Sequence, residues 1–349
     1  MTGGTAPAHT RHEADPAAVR RWLAGLRGQP AGRVPDPVPP SPTGLRQRLA
    51  LLAVPEADRE RLCAEMPGPD RDPAVWEALI RCHQRLFAAP ADGADSAEGT
   101  DGADGTAALD WPDAPAALGA TGRYFYAHLF VLALPLALER QHRLGVPDDV
   151  VGATFADLGA KLTSYRLAHG TGGFDRQRWI ARHFRGTLHR LGRLQFDRAV
   201  LDADAHGGDA AASGGPAHGD PVLQVHIPGD GPLSRSACDA SFAAARHFYA
   251  RHFPATRHAR ATCSSWLLDP QLAEHLAPES RILAFQSRFA RFGARPVCDD
   301  DVLEFVFHRP PGRADLGRLP QGTALQRSLV RHLRAGGHWH LAHGWTALP

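Results

Sequence analysis

Lysine is nearly missing from this 349-residue chain: of its 39 basic residues only Lys161 is not an arginine. The abundance of Ala, Gly, Pro and Arg fits a GC-rich coding bias. A set of arginines that grip phosphate is the other reading, and composition does not choose between them. Cysteine is scarce and scattered. Cys63, Cys82, Cys238, Cys263 and Cys298 are odd in number and form no C-x-x-C pair, which argues against a disulfide framework or a structural zinc site. A reducing compartment follows, so a cytoplasmic location is expected. An excess of either charge is also lacking. The 39 basic and 37 acidic residues leave a net charge of +2, so nothing pulls the whole chain toward nucleic acid or an anionic membrane. Long apolar runs are absent: the most hydrophobic stretch, Tyr124 to Leu138, is too short to span a bilayer and holds His128 and Pro135, so it reads as a buried core helix. The N-terminal MTGGTAPAHTRHEADP has no apolar segment of a secretory signal.

What is present is an ordinary globular composition, 43% hydrophobic and 22% charged, in a chain long enough for two cores. Residues 1–15 read as disordered. Apolar residues then recur at three- and four-residue spacing in helices near 16–26, 43–52, 56–66, 72–87, 121–144, 148–169 and 175–184. The acidic, small-residue stretch 90–115 interrupts them as a low-complexity loop. From Thr187 the period changes to that of strands, expected at 187–200, 222–227, 261–268, 302–308 and 338–346, with helices at 234–253, 279–292 and 323–333. A Gly/Ala/Asp/His-rich insert at 203–220 reads as flexible. The fold expected is α+β: an all-helical N-terminal domain, 16–184, followed by a mixed α/β domain, 185–349.

The most legible unit is Val222 to Phe253, a strand, a Gly-rich turn and a long helix that Ser234 caps. A helix N-terminus behind such a turn presents unpaired N–H groups and the positive end of the helix dipole, a place to hold phosphate. The turn Pro228-Gly229-Asp230-Gly231-Pro232 lacks the Gly-Lys-Ser/Thr of a P-loop and the third glycine of a dinucleotide fingerprint, so an ordinary turn is the alternative. His226, on the polar face of the strand, is a candidate general base with Cys238 or Asp239 as its orienter; a structural strand histidine is the alternative. Cys263, Ser264 and Ser265 suggest a nucleophile, but there is no G-x-S-x-G elbow. His338, His340 and His343 have the spacing of metal ligands on a strand without a neighbouring carboxylate. Arg182, Arg185, Arg190 and Arg193 bracket the helix-to-strand junction, as phosphate ligands or as a solvated basic face.

The blocks LGRLQFD (Leu191–Asp197), VHIPGDGPL with CDASF (Val225–Phe242), TCSSWLLDPQL (Thr262–Leu272), ILAFQSRF (Ile282–Phe289) and LRAGGHWHLAHGW (Leu333–Trp345) resemble a family of actinobacterial acyltransferase-domain proteins. In that family a helical N-acyltransferase N-terminal domain precedes a GNAT-like C-terminal domain. The resemblance implies acetyl-CoA or another acyl-CoA as co-substrate and no metal. Its pyrophosphate would lie on the turn with Ile227, Gly229, Asp230, Gly231, Leu233 and Ser234, and its pantetheine where strand 222–227 splays from strand 261–268. The Q/R-x-x-G-x-G/A signature of GNAT proteins is absent here. The resemblance further implies direct attack by an amine of a small molecule or peptide, with His226 as base, the backbone around Ile227 polarising the carbonyl, and Ser265 protonating the leaving thiolate. The competing expectations are a catalytically degenerate binding or regulatory module, and a hydrolase using Cys263 or Ser265. No nucleic-acid or membrane partner is expected, and the oligomeric state is not legible.

Overall fold

A computed structural model describes residues 16–26, 34–88, 111, 113–310, 312 and 314–349. The expected disordered N-terminus and the acidic loop as far as Asp110 lie outside the described residues.

The first half is helical: α1 (Pro16–Leu26), α2 (Pro42–Leu51), α3 (Glu56–Ala64), α4 (Pro73–Leu86), α5 (Gly119–Arg123), α6 (Phe125–Arg143), α7 (Asp148–Phe155), α8 (Asp157–His169) and α9 (Gln177–Arg185). Helix α4 buries Val75, Trp76, Leu79, Cys82 and Leu86, a stripe at helical spacing behind a proline in its first turn. Helix α6 is buried almost all round from Phe125 to Leu134, as suits the central helix of an array. Its Pro135 has no N–H to give to the carbonyl of Val131, and the Arg48 guanidinium donates to that oxygen instead, at 3.2 Å. The helix expected over 148–169 divides at Ala156. There the backbone of Gly159 donates to Leu52 O at 3.1 Å, and a Cβ at 159 would stand 2.0 Å from Ala53 O, so only glycine allows this approach. Among the described residues no helix is long and apolar enough to cross a membrane.

The second half carries β1 (Leu188–Leu191), β2 (Leu194–Val200), α10 (Ala203–His206), β3 (Pro221–His226), α11 (Arg235–His252), β4 (Arg260–Ser265), α12 (Leu272–His275), α13 (Arg281–Gln286), β5 (Ala290–Phe292), α14 (Asp299–Phe307), α15 (Ala324–Arg334) and β6 (Ala342–Ala347). The strands form one six-stranded sheet in the order β1-β2-β3-β4-β6-β5. Only β3 and β4 run parallel; the other neighbours are antiparallel. The fold is α+β. Its largest core is continuous from Val19 in α1 to Ala342 in β6, so helical array and sheet bury one another.

Several further expected elements differ. The strand expected at 302–308 is helix α14: Val302, Leu303 and Phe307 are its buried side, a helical spacing that alternation mimics, and Asp299, Asp300 and Asp301 suit the positive end of a helix. The strand expected at 187–200 is a hairpin, because Gly192, at φ 70°, turns the chain between β1 and β2. The helix expected over 279–292 ends at Gln286, and residues 290–292 join the sheet edge as β5. Residues 338–340 stand before β6, joined to Val297 by an isolated bridge at His340 and held by Trp339 N and His340 N donating to Asp299 and Asp269. The connection 203–220, expected as a flexible insert, contains α10 and a 3-10 turn, with Gly219 N and Leu201 N closing its base on Leu201 O and Asp220 O.

Strand alternation gives the sheet two unlike faces. Phe196, Val225, Leu223, Ala261 and Cys263 are buried on the face where α11 lies, with Phe242 edge-on to Phe196 and Tyr249 Oη donating to Phe196 O. The opposite face presents the polar Gln195, Asp197, Gln224, His226, Thr262, Ser264 and His343 beside Ala199, Val222 and Trp345, and meets α9.

Candidate active site

The polar face opens where β3 leaves β4. Of these two six-residue strands only Leu223↔Ala261 and Gln224↔Thr262 are in register, so beyond Gln224 the strands part and leave a cleft between His226–Ile227 and Ser264–Ser265. The turn after β3 is braced from the β1–β2 hairpin. Arg190 forms a bidentate pair with Asp230, at 2.6 and 3.1 Å, and Arg193 donates to the carbonyl oxygens of Gly231 and Pro232, at 2.6 and 3.1 Å. Arg190, foremost by its hydrogen bonds, holds the Asp230 carboxyl below the usual carboxylate range. The turn's negative charge is thus neutralised. Gly229 is exposed with open space around it, Leu233 anchors the turn in the core, and Ile227 packs against the same core. Ser234 caps α11, its Oγ accepting from Ala237 N at 3.3 Å. At the same helix end Arg288 pairs with Asp239 and donates to Arg235 O. An 18-residue helix therefore ends at the cleft among Arg193, Arg235 and Arg288. This suits a polyanion.

His226 points away from that helix. Its ring meets the indole of Trp179 edge-on, with centres 4.7 Å apart and planes at 83°, and its Nε2 is buried without a hydrogen-bond partner among the described residues. Burial, reinforced by the Arg182 and His183 charges, holds its pKa well below that of a free imidazole, so at neutral pH it keeps a lone pair. Trp179 is itself fixed, its Nε1 donating to Asp157 Oδ2 at 2.6 Å. The same oxygen lies 3.2 Å from His183 Nε2, and Lys161 stands 3.5 Å from the other. Burial alone would raise Asp157, but His183, Lys161 and Trp179 together keep it strongly ionised. Arg182 crosses to Asp197 on β2 at 3.2 Å and stacks over the Trp179 ring. On its other side Trp179 lines a cavity of ≈ 600 Å³, together with Trp111, Asp113, Asp175, Arg176 and Arg182.

The expected orienters of His226 do not reach it. Asp239 is held by Arg288 and Cys238 is buried within α11, because the pleat turns Val225 and Ile227 toward α11 and His226 to the opposite face. The carboxylate whose charge reaches His226 is Asp157, which is bonded to Trp179 and paired with His183. Ser265 faces away from His226. It lies three residues past Thr262, the partner of Gln224, and so on the face opposite His226, and its Oγ accepts from Leu267 N at 3.1 Å to cap the 3-10 turn Trp266–Leu268. Ser264 shares the face of His226. Cys263 is buried, which pushes its thiol up to about 12 and away from nucleophilic use. The three histidines near the C-terminus diverge: His338 pairs with Asp299, His340 sits between Gln271 and Asp269, and His343 bonds Ser264. Trp179, Asp157 and His183 were read only as members of amphipathic helices; they meet His226 across a distance that no spacing rule in the chain encodes.

Residues 43–186 match the N-acyltransferase N-terminal domain family and residues 188–346 the GNAT-like C-terminal domain family. Among solved structures, a mutant acyltransferase in complex with octanoyl-CoA is similar at 34% sequence identity and a TM-score of 0.81, covering 96% of this chain and 100% of the other. An acyltransferase in complex with decanoyl-CoA and teicoplanin, and one in complex with CoA and 10C-teicoplanin, are each similar at 34% identity with a TM-score of 0.80 and the same coverage. No curated protein sequence matches the chain.

Proposed function

We propose that the chain, which belongs to the family of acyltransferases joining an N-acyltransferase N-terminal domain to a GNAT-like C-terminal domain, moves a medium-length acyl group from its CoA thioester to an amine of a glycopeptide of the teicoplanin class. The single observation that carries the reading is the buried, unpartnered Nε2 of His226 at the parting of β3 and β4. A neutral imidazole there suits proton removal from an attacking amine. The CoA pyrophosphate is assigned to the turn Ile227, Gly229, Asp230, Gly231, Leu233, Ser234 and the N-terminus of α11. The thioester is assigned to the cleft beyond Gln224.

The chemistry is direct. The amine nitrogen bonds to the thioester carbonyl carbon, its proton passes to His226 Nε2, and the C–S bond breaks to release CoA thiolate. The backbone at Ile227 is assigned the carbonyl oxygen. The cavity beyond Trp179, lined by charges of both signs and two indoles, is assigned to the amine-bearing part of the acceptor. The chain is incubated with decanoyl-CoA and a teicoplanin-type amine, and thiol release and acceptor mass are followed together. A mass gain of one decanoyl group per thiol released is expected. Thiol release without an acylated acceptor would replace transfer by hydrolysis.

A further inference from the structure

The polar sheet face holds a serine and a histidine that the expected mechanism did not use. Ser264 Oγ lies 2.7 Å from His343 Nδ1, across the register pair Ser264↔His343 of β4 and β6. The serine is exposed, whereas the residues on either side of this pair in the strands, Cys263 and Ala342, are buried. Its place follows from the ladder. Gln224 and Thr262 are partners and share a face, so the next residues on that face are His226 on β3 and Ser264 on β4. They stand on the two lips of the cleft, at the first same-face positions after pairing ends.

We propose that the Ser264 hydroxyl, oriented by His343, is the proton donor to the CoA thiolate that leaves during acyl transfer, the role first expected of Ser265; the proposal rests on the acyl-transfer reading of the site. With its proton on Nδ1, His343 donates to Ser264 Oγ and leaves the serine O–H directed to the cleft. As the C–S bond breaks, the Ser264 proton passes to sulfur, the His343 Nδ1 proton passes to Oγ, and His343 Nε2 takes one proton from solvent. The imidazole stays neutral overall and resets by exchange with water. His226, on the other lip, carries away the amine proton, so each turnover returns to solvent the proton it removes. A covalent role for Ser264 is less well served. The other groups in ring contact with His343 are His206 and Phe292, and among the described residues no carboxylate is hydrogen-bonded to it as the third member of a nucleophilic triad would be.

The test measures decanoyl-CoA affinity by calorimetry and single-turnover acylation of a teicoplanin-type amine for wild type, Ser264→Ala, Ser264→Thr and His343→Gln. Ser264→Ala is expected to keep wild-type affinity and to lose about 10²-fold in rate, the scale of one proton-transfer group. Ser264→Thr, which keeps the hydroxyl on a β-branched side chain that suits a strand, is expected to recover most of it. His343→Gln, a positioning change, is expected to slow the rate less than Ser264→Ala and to add nothing in a Ser264→Ala background. A full-rate Ser264→Ala overturns the proposal and leaves acyl transfer standing. A decanoyl adduct on Ser264, detected by mass spectrometry without acceptor, overturns it in favour of a covalent route. A wild type that acylates no amine overturns the transfer reading and this proposal together.

Discussion

The indole of Trp179 stands edge-on to the imidazole of His226, 4.7 Å between ring centres, and Asp157 fixes that indole from behind at 2.6 Å. The N-terminal helices thus reach into the sheet and set the environment of His226 at the cleft. Trp179→Ala removes the indole that touches His226 and lines the ≈ 600 Å³ cavity. Because burial is the main cause of the low His226 pKa, water entering there is expected to raise it toward 6.5. NMR titration of the imidazole checks this, and an unmoved pKa would show that the neighbouring cations, not the indole, set it.

Arg190 and Asp230 make the turn after β3 neutral, a requirement if phosphate is to approach it. Arg190→Ala is expected to weaken decanoyl-CoA binding about tenfold, since it bares a carboxylate beside the pyrophosphate. The Arg190→Ala, Asp230→Ala double variant is expected to bind more tightly than Arg190→Ala alone. Calorimetry at fixed ionic strength distinguishes this from a direct arginine–phosphate contact, for which the second change brings no recovery.

Pro135 and Arg48 form a compensated pair in α6. Arg48→Met leaves the buried carbonyl of Val131 without its donor and is expected to cost about 1–2 kcal/mol of stability. Pro135→Ala restores a backbone N–H to that carbonyl, so the same Arg48→Met is expected to cost less in that background. Denaturant unfolding of the four proteins closes the cycle, and equal costs in both backgrounds refute the coupling.

Acid is expected to unfold the protein well above the carboxylate range. His128, held down to about 4, and His189, held down to about 3, are fully buried, and burial is the first cause of both shifts. A folded pKa below the unfolded 6.5 means that the unfolded chain binds more protons, so stability is intact above about 6.5 and falls as pH drops toward 4 and then 3. At pH 5 each histidine withdraws on the order of 2 kcal/mol. Melting temperature followed from pH 8 to 4 checks the direction; a flat profile would mean that these histidines are charged in the folded protein.

The sequence made the strand–turn–helix of residues 222–253 legible because two periodicities meet there at a glycine turn and a serine cap, and that unit frames the cleft. It misplaced Val302–Phe307, since Val302, Glu304 and Val306 alternate with Leu303, Phe305 and Phe307 as well as they fit a helix, and only the packing of Val302 against the small C-terminal core decides. His226 was visible as a polar residue on a strand face; its surroundings were not, because Asp157, Trp179 and His183 lie on helices 43 to 69 residues earlier in the chain. Ser265 and Ser264 are adjacent and chemically alike. Only the register Gln224↔Thr262 separates them, by assigning the two hydroxyls to opposite faces.

The central claim is that His226 takes the amine proton at the parting of β3 and β4. Single-turnover acylation by His226→Gln, at saturating decanoyl-CoA and with affinity measured in parallel, tests it most directly. Unchanged affinity and a rate lower by about 10²-fold or more are expected, with recovery as pH is raised to deprotonate the acceptor amine. A His226→Gln enzyme that binds decanoyl-CoA and acylates at the wild-type rate across pH 6 to 9 would contradict it.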